Sequence, residues 1–314
     1  MKNLFSIILF AFALTFFFSS CDKKDNEVET NAQPFTDFLK SKPELSLYAA
    51  ALEKAGLQSY INGPGPFTFF APTNDAFTAA KITQDSLNKM TPGAINYLLM
   101  YHTINALVTT TDLFGAQFSF SRGTQIGNTA STQMFLGTRG DSSYINGTNI
   151  ISPDNMVSNG VIHIINQVQV PPVFRGNMQA VLTNTGQHSL FIAALTRGGR
   201  WAGLTGTGPF TIMAPTDAAM SAAGFTLSNI NAAPVSRMDS LVRYHYFTGT
   251  RLFTNDLGNR VSPQTALGVN RTLLASGNGK QIKGNSNATP VNIIQANLLG
   301  TNGVVHVIDG VLRY

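Results

Sequence analysis

Apolar positions along the chain follow two rhythms. Leu45, Tyr48, Ala49, Leu52 and Ala55 recur at steps of three and four, the stripe of an amphipathic helix. A shorter amphipathic piece, Phe35 to Leu39, precedes it. Ser41-Lys42-Pro43-Glu44 has the spacing of a capping box, and Gly56 supplies a left-handed terminus. Phe67 to Ala71 is an unbroken apolar run of strand length. It runs into Pro72-Thr73, where Thr73 is placed to cap a helix through Phe77. Thr91-Pro92 opens another helix carrying Ile95, Leu98, Leu99 and His102. From Thr103 to Ser158 short apolar runs alternate with turn clusters at Arg122-Gly123, Gly127-Asn128, Arg139-Gly140-Asp141 and Asn146-Gly147. Val161 to Val170 reads as a strand buried on at least one face. Helices first and strands later predict an α+β unit on a mostly antiparallel sheet.

The whole pattern then returns. Gly65-Pro66-Phe67-Thr68-Phe69-Phe70-Ala71-Pro72-Thr73 reappears as Gly208-Pro209-Phe210-Thr211-Ile212-Met213-Ala214-Pro215-Thr216. Tyr101-His102 reappears as Tyr244-His245, and Asn159-Gly160-Val161-Ile162-His163 as Asn302-Gly303-Val304-Val305-His306, all three at an offset of 143. Leu190, Phe191, Ala194, Leu195 and Gly198-Gly199 repeat the first helix and its end. The chain is therefore a tandem of two copies, 34–172 and 173–314, joined at Pro171-Pro172 by a connection short enough that the copies should touch.

Composition agrees with this division. A length of 314 residues is that of about two domains, and 43% hydrophobic against 12% charged residues excludes a disordered chain. The net charge of +5 is uneven. The first copy has seven Lys/Arg and eight Asp/Glu, the second eleven and four. The second copy could therefore meet acidic partners such as anionic glycans or lipid headgroups. However, Arg197, Arg200, Arg237, Arg243, Arg251, Arg260 and Arg271 are scattered singly, as on an ordinary solvated surface.

The one cysteine, Cys21, excludes an intrachain disulfide. Met1-Lys2-Asn3 is a short basic start, Leu4 to Phe18 is apolar apart from Ser6 and Thr15, and Ser19-Ser20 precede the thiol. This is the layout of a bacterial lipoprotein signal, residues 1–20, with Cys21 as the lipidated residue. The competing reading, a transmembrane helix, is about 22 Å long against roughly 30 Å of hydrocarbon. Residues 21–33 are polar and charged and read as a flexible tether.

These residues support naming a family. Phe67 to Phe77 resembles the first signature of the fasciclin-like domain, Tyr101-His102 its central pair, and Asn159 to Ile165 its second signature. The second copy matches at Thr211 to Met220, Tyr244-His245 and Asn302 to Asp309. The resemblance implies a compact β-wedge with helices packed on one side, in secreted or membrane-anchored adhesion and matrix-binding modules. It also assigns Phe67, Ala71, Pro72, Thr73, Tyr101, His102, Asn159, Gly160 and His163 to the structural motif, with Phe210, Ala214, Pro215, Thr216, Tyr244, His245, Asn302, Gly303 and His306 in the second copy. In animal members a Glu-Pro-Asp-Ile-Met stretch before the second signature is implicated in integrin binding. Here Pro153, Asp154 and Met156 keep their places, while Ser152 and Asn155 replace the other two. The alternative for Pro153-Asp154 is a plain turn before the final strand.

Each candidate site has a structural reading beside the functional one. The recurrent histidines could be ligands or proton switches, yet no Cys, Asp or Glu stands at metal spacing beside them, which favours hydrogen-bonded core positions. Asp75 corresponds by strict offset to Ala218, whereas Asn74 corresponds to Asp217. Asn and Asp exchange at a helix start, and a general acid would not survive that exchange. Arg139-Gly140-Asp141 spells a tripeptide that integrins read, and is equally ordinary hairpin chemistry. Asn146-Gly147-Thr148, Asn270-Arg271-Thr272 and Asn287-Ala288-Thr289 match glycosylation sequons. No nucleotide loop, zinc pattern or nucleophile elbow is visible, so neither a cofactor nor an enzymatic activity is expected. The expectation is a lipid-anchored outer-membrane protein at the cell surface that binds a glycan, matrix or protein ligand and not nucleic acid. The alternatives are an accessory subunit of an outer-membrane uptake complex, and a glycan-active enzyme.

Overall fold

The computed structural model of the chain describes residues 32–113, 119–129, 132–257, 264–268, 274–276 and 279–314. The signal, Cys21 and nearly all of the tether lie outside these residues, as do Arg260, Arg271 and the sequon at Asn270.

Each copy is one sheet with helices on one face. The strands of copy one are β1 (Phe67–Pro72), β2 (Thr103–Ile104), β3 (Phe120–Arg122), β4 (Met134–Arg139), β5 (Ser142–Ile145), β6 (Thr148–Val157) and β7 (Gly160–Ile165). Their order across the sheet is β2-β1-β7-β6-β5-β4-β3. Copy two has β8 (Phe210–Pro215), β9 (Tyr246–Thr248), β10 (Leu274–Ser276), β11 (Gln281–Lys283), β12 (Val291–Gly300) and β13 (Gly303–Ile308), ordered β10-β11-β12-β13-β8-β9. In both copies one parallel pair, β1 with β7 and β8 with β13, sits among antiparallel neighbours. The fold is thus α+β, as the order of elements predicts.

Two apolar clusters sandwich each sheet. In copy one, Phe69, Ala71, Ile162 and Ile164 face the helices, whose buried residues include Leu45, Tyr48, Leu52, Leu98 and Leu99. Phe70, Ile165, Ile145 and Leu136 face the other way, into the space closed by the curling strands. Copy two repeats this with Ile212, Ala214, Val305 and Val307 on one side and Met213, Ile308 and Ile282 on the other. The period of two along each strand therefore fills two cores at once.

The Asn-Gly pairs explain themselves sterically. A Cβ on Gly160 would lie 2.0 Å from the carbonyl oxygen of Phe67, and one on Gly303 2.4 Å from that of Phe210. Asn159 Nδ2 donates to the carbonyls of Ile61 and Gly63, both at 2.8 Å, and so pins the loop that leads into β1. Asn302 Nδ2 does the same with Leu204 and Gly206.

Three local expectations need correction. Ser41 and Glu44 form no capping box; Ser41 Oγ donates to the Phe38 carbonyl and closes the preceding helix Phe35–Lys40 instead. Pro153-Asp154 is not a turn before the final strand. Asp154 lies within β6 at φ +55°, where the register against β7 shifts, so it is a bulge. The last strand of copy one ends at Ile165 rather than Val170. Thr73 and Thr91 do cap their helices, accepting from Ala76 N and Ala94 N.

Candidate functional site

The four recurrent histidines are buried and fully engaged. His102 and His245 follow the helices Pro92–Tyr101 and Val235–Tyr244 as their C-caps. Each Nδ1 donates to a carbonyl one turn back, Leu98 or Leu241, at 2.8 Å. Each Nε2 accepts a backbone amide, from Gln169 or Leu312, at 2.9 Å. An amide can only donate, so the partners fix the Nδ1–H tautomer. His163 and His306 take the opposite one. Their Nε2 donates to Val108 O and Leu252 O at 2.8 Å, and their Nδ1 accepts from the amides of Asp154 and Asn297. Burial pushes His102, His245 and His306 down to about 4 and lowers His163 as well, against the weaker pull of their carbonyl partners. All four are held neutral, with neither ring nitrogen free for a metal or a proton relay.

The acid near the first helix of each unit is also architectural. Asn74 Oδ1 accepts from Leu47 N at 2.9 Å, and Asp217 Oδ1 from Leu190 N at 2.7 Å, the same bond in both copies. Amide and carboxylate interchange because this shared bond needs only an acceptor, while the other arm differs: Asn74 Nδ2 donates to Pro43 O and Ser46 Oγ, whereas Asp217 Oδ2 accepts from Ser189 Oγ.

Sequence reasoning missed a second recurrent device. Thr68 Oγ1 donates to Ala106 O and accepts from Val108 N; Thr211 Oγ1 donates to Thr250 O and accepts from Leu252 N. These bonds hang the following turn on the central strand. The turn closes through Asp112, whose Oδ2 accepts from Thr109 N at 2.7 Å, and through Asp256, whose Oδ2 accepts from Phe253 N at 2.9 Å. The bulge side chains buttress it. Asp154 accepts from the amide and hydroxyl of Thr110, and Asn297 Oδ1 accepts from the amide of Thr254. A one-residue insertion ahead of this turn, compensated before the bulge, hides this correspondence from a fixed offset.

In copy two this turn and bulge form the seat of copy one. Phe135 on β4 packs against Phe253 with ring centroids 5.5 Å apart, alongside Leu299 and Val304. The Arg251 guanidinium lies over the Phe135 ring, 4.5 Å from its centroid. Burial lowers Arg251 to about 10, with Tyr101 opposing, and its Nε has no hydrogen-bond partner. Asp256 Oδ1 accepts from the amide and hydroxyl of Ser119 at 2.9 and 3.0 Å. Arg139 Nη1 donates to Thr254 O at 3.2 Å, and Asn297 Nδ2 to Gly147 O at 3.1 Å. The Arg139-Gly140-Asp141 tripeptide is therefore a β4–β5 turn whose arginine is spent between the copies, while Asp141 is exposed. Of the second segment, Pro153 is exposed, and Asp154 and Met156 are partly so. Asn146 is buried and donates to Gln169, which places that sequon out of reach of solvent.

The copies differ most in their surfaces. Copy one has an apolar groove of about 560 Å³ between its first helices, lined by Leu39, Ala49, Ala50, Leu52 and Ile61, with Lys40 and Lys42 at its edge. A smaller cleft of about 380 Å³ near the junction is lined by Phe174, Arg175, Asn184, Gln295 and Leu298. Beside it Val173 and Phe174 are exposed, Phe174 leaning on Tyr97. Among the described residues no group of three or more His, Cys, Asp and Glu gathers.

The family model described as the fasciclin domain matches residues 43–171 and 186–314. The chain belongs to this family. It is 26% identical to human periostin over 93% of its own length and 32% of that protein's. It is likewise 26% identical to transforming growth factor-beta-induced protein ig-h3 of Sus scrofa, over 85% of this chain and 37% of that one. A fasciclin-like arabinogalactan protein of Arthroderma benhamiae is 26% identical over 90% of this chain and 67% of that protein. The chain thus spans about a third of periostin and of ig-h3. A solved FAS1 domain pair from the insect cell adhesion molecule Fasciclin I covers 87% of this chain and 98% of its own, at 17% identity and a TM-score of 0.40.

Proposed function

We propose that the chain is a membrane-tethered surface protein that recognises a macromolecule, such as a glycan, a matrix component or a partner protein, by binding alone. One observation carries this reading: all four recurrent histidines spend both ring nitrogens on the fold. A polar group committed in that way supplies rigidity and no chemistry. Recognition then falls to what the copies do not share: the apolar groove of copy one and the more basic surface of copy two. The relatives named periostin and fasciclin-like arabinogalactan protein share these domains and fit a cell-surface role. Cys21, behind its basic start and apolar run, is the residue that would carry the lipid.

The test is solid-phase binding of the full chain, with Cys21→Ser, to arrays of polysaccharides, matrix proteins and surface proteins. Retention on a subset, lost when Ala50→Trp fills the groove, is the expected result. A blank across all classes contradicts the reading. The exposed pair Val173 and Phe174 favours, as a second reading, a stoichiometric protein partner in an outer-membrane complex. A partner co-purifying from membranes in fixed ratio identifies that case.

A further inference from the structure

The same face does different work in the two copies. In copy two the turn after β9 is covered: Phe253 is 0% exposed, Asn255 4% and Asp256 5%. Its cover is the β4–β5 hairpin of copy one, with Ser119 and the β5–β6 turn at Gly147 beside it. In copy one the equivalent turn, Thr109 to Leu113, is built by the same internal bonds to Asp112 and Asp154. There Thr111 and Asp112 are exposed. The seat exists twice and is filled once.

The hairpin also exists twice. Leu136 pairs with Ile145, and Ala275 with Ile282, while the next strand pairs Tyr144 with Asn149 and Gln281 with Asn292. This register puts β10 in the place of β4 and Leu274 in the place of Phe135. Phe135 is 7% exposed because copy two covers it; Leu274 is 60% exposed. A large apolar side chain at the position that anchors the internal junction is left uncovered in copy two.

We propose that the β10–β11 hairpin of one molecule docks on the open turn-and-bulge face of copy one in a second molecule. This repeats between chains the step that relates copy one to copy two within a chain. Leu274 meets Met156, which stands where Leu299 lines the internal junction. Charge fits as well: the hairpin carries Lys280 and Lys283, and the open face carries Asp112 and Asp154. Asn297 gives an N–H to the Gly147 carbonyl in the β5–β6 turn of the internal junction, whereas Asp154 offers a carboxylate, which suits Lys283, the residue that the register puts in the place of Asn146 beside that carbonyl. Thr109 replaces Phe253, so the contact between chains is less apolar and weaker than the one within. The contact is heterologous, so it propagates head to tail instead of closing a two-fold dimer.

Sedimentation velocity on the full chain with Cys21→Ser, from low micromolar to roughly millimolar concentration, tests this. The mean mass is expected to rise with concentration beyond a dimer. Leu274→Asp removes the hairpin anchor, and Thr111→Arg blocks the seat where Asn255 is covered in copy two. Both positions are exposed, so the fold is kept. Each variant alone stays monomeric, and an equimolar mixture gives one-to-one dimers and nothing larger, because the mixture retains one good hairpin and one good seat. A wild-type chain monomeric throughout overturns the proposal. So does association indifferent to both substitutions, or a mixture that stays monomeric. None of these outcomes depends on whether a glycan or protein ligand is found.

Discussion

Asp154 and Asn297 hold the same left-handed place in the same bulge, at φ +55° and +60°, yet only Asn297 reaches across to the other copy. The bulge belongs to the fold, since each backbone amide there feeds a buried histidine. The side chain is where the copies part. A carboxylate suffices to hold the Thr110 turn, whereas the junction needs an amide that also donates, to Gly147 O and Thr254 Oγ1.

Asn297→Asp should therefore loosen the junction more than it disturbs copy two. It removes two donations and sets a carboxylate against the Gly147 carbonyl, at a cost of about 1–3 kcal/mol. Differential scanning calorimetry should show the copies melting less cooperatively. An unchanged thermogram would mean that the bond carries no coupling.

Phe135→Ala should cost about 3 kcal/mol, because the ring fills a site between Phe253, Leu299 and Val304 and lies under the Arg251 guanidinium. Small-angle scattering should report a larger radius of gyration as the copies separate. A compact particle with wild-type dimensions would contradict the weight given to this side chain.

Acid should unfold the chain through its histidines. Folding holds His102, His245 and His306 near 4, below the ordinary 6.5, because burial disfavours the imidazolium. Between those values the unfolded chain binds protons that the folded chain refuses. Their contribution is thus complete above about pH 6.5 and lost progressively towards about pH 4, at up to about 1.4 kcal/mol per pH unit for each histidine. Urea midpoints measured across this range should fall steadily with pH. A flat profile from pH 7 to 4 would contradict it.

Much of this was legible in the sequence, and the gaps have physical causes. The fixed offset gave the two units, because the strands and helices that pack the core tolerate no insertion. Thr73 and Thr91 were legible as caps, because a cap needs only its own hydroxyl and the next turn. Ser41 misled, because its hydroxyl had a nearer acceptor at the end of the preceding helix. The turn at Asp112 and Asp256 was not legible, because the offset slips by one there and its bonds run to a strand some forty residues away. The role of Arg139 depends on a carbonyl 115 residues distant, which no local pattern encodes.

Cys21→Ser should move the protein from the membrane fraction to the soluble one and abolish labelling by a clickable fatty acid. Retention in the membrane with the thiol removed would point to the apolar run itself as the anchor.

The most direct test of the central claim is a long-range ¹H–¹⁵N spectrum of the histidine side chains, followed from pH 8 to 5 on the full chain. The expected result is the Nδ1–H tautomer for His102 and His245, the Nε2–H tautomer for His163 and His306, and no titration of the four near 6.5. Rapid tautomer exchange, or titration of any of the four at about 6.5, would show that these groups are free for chemistry and would contradict the account.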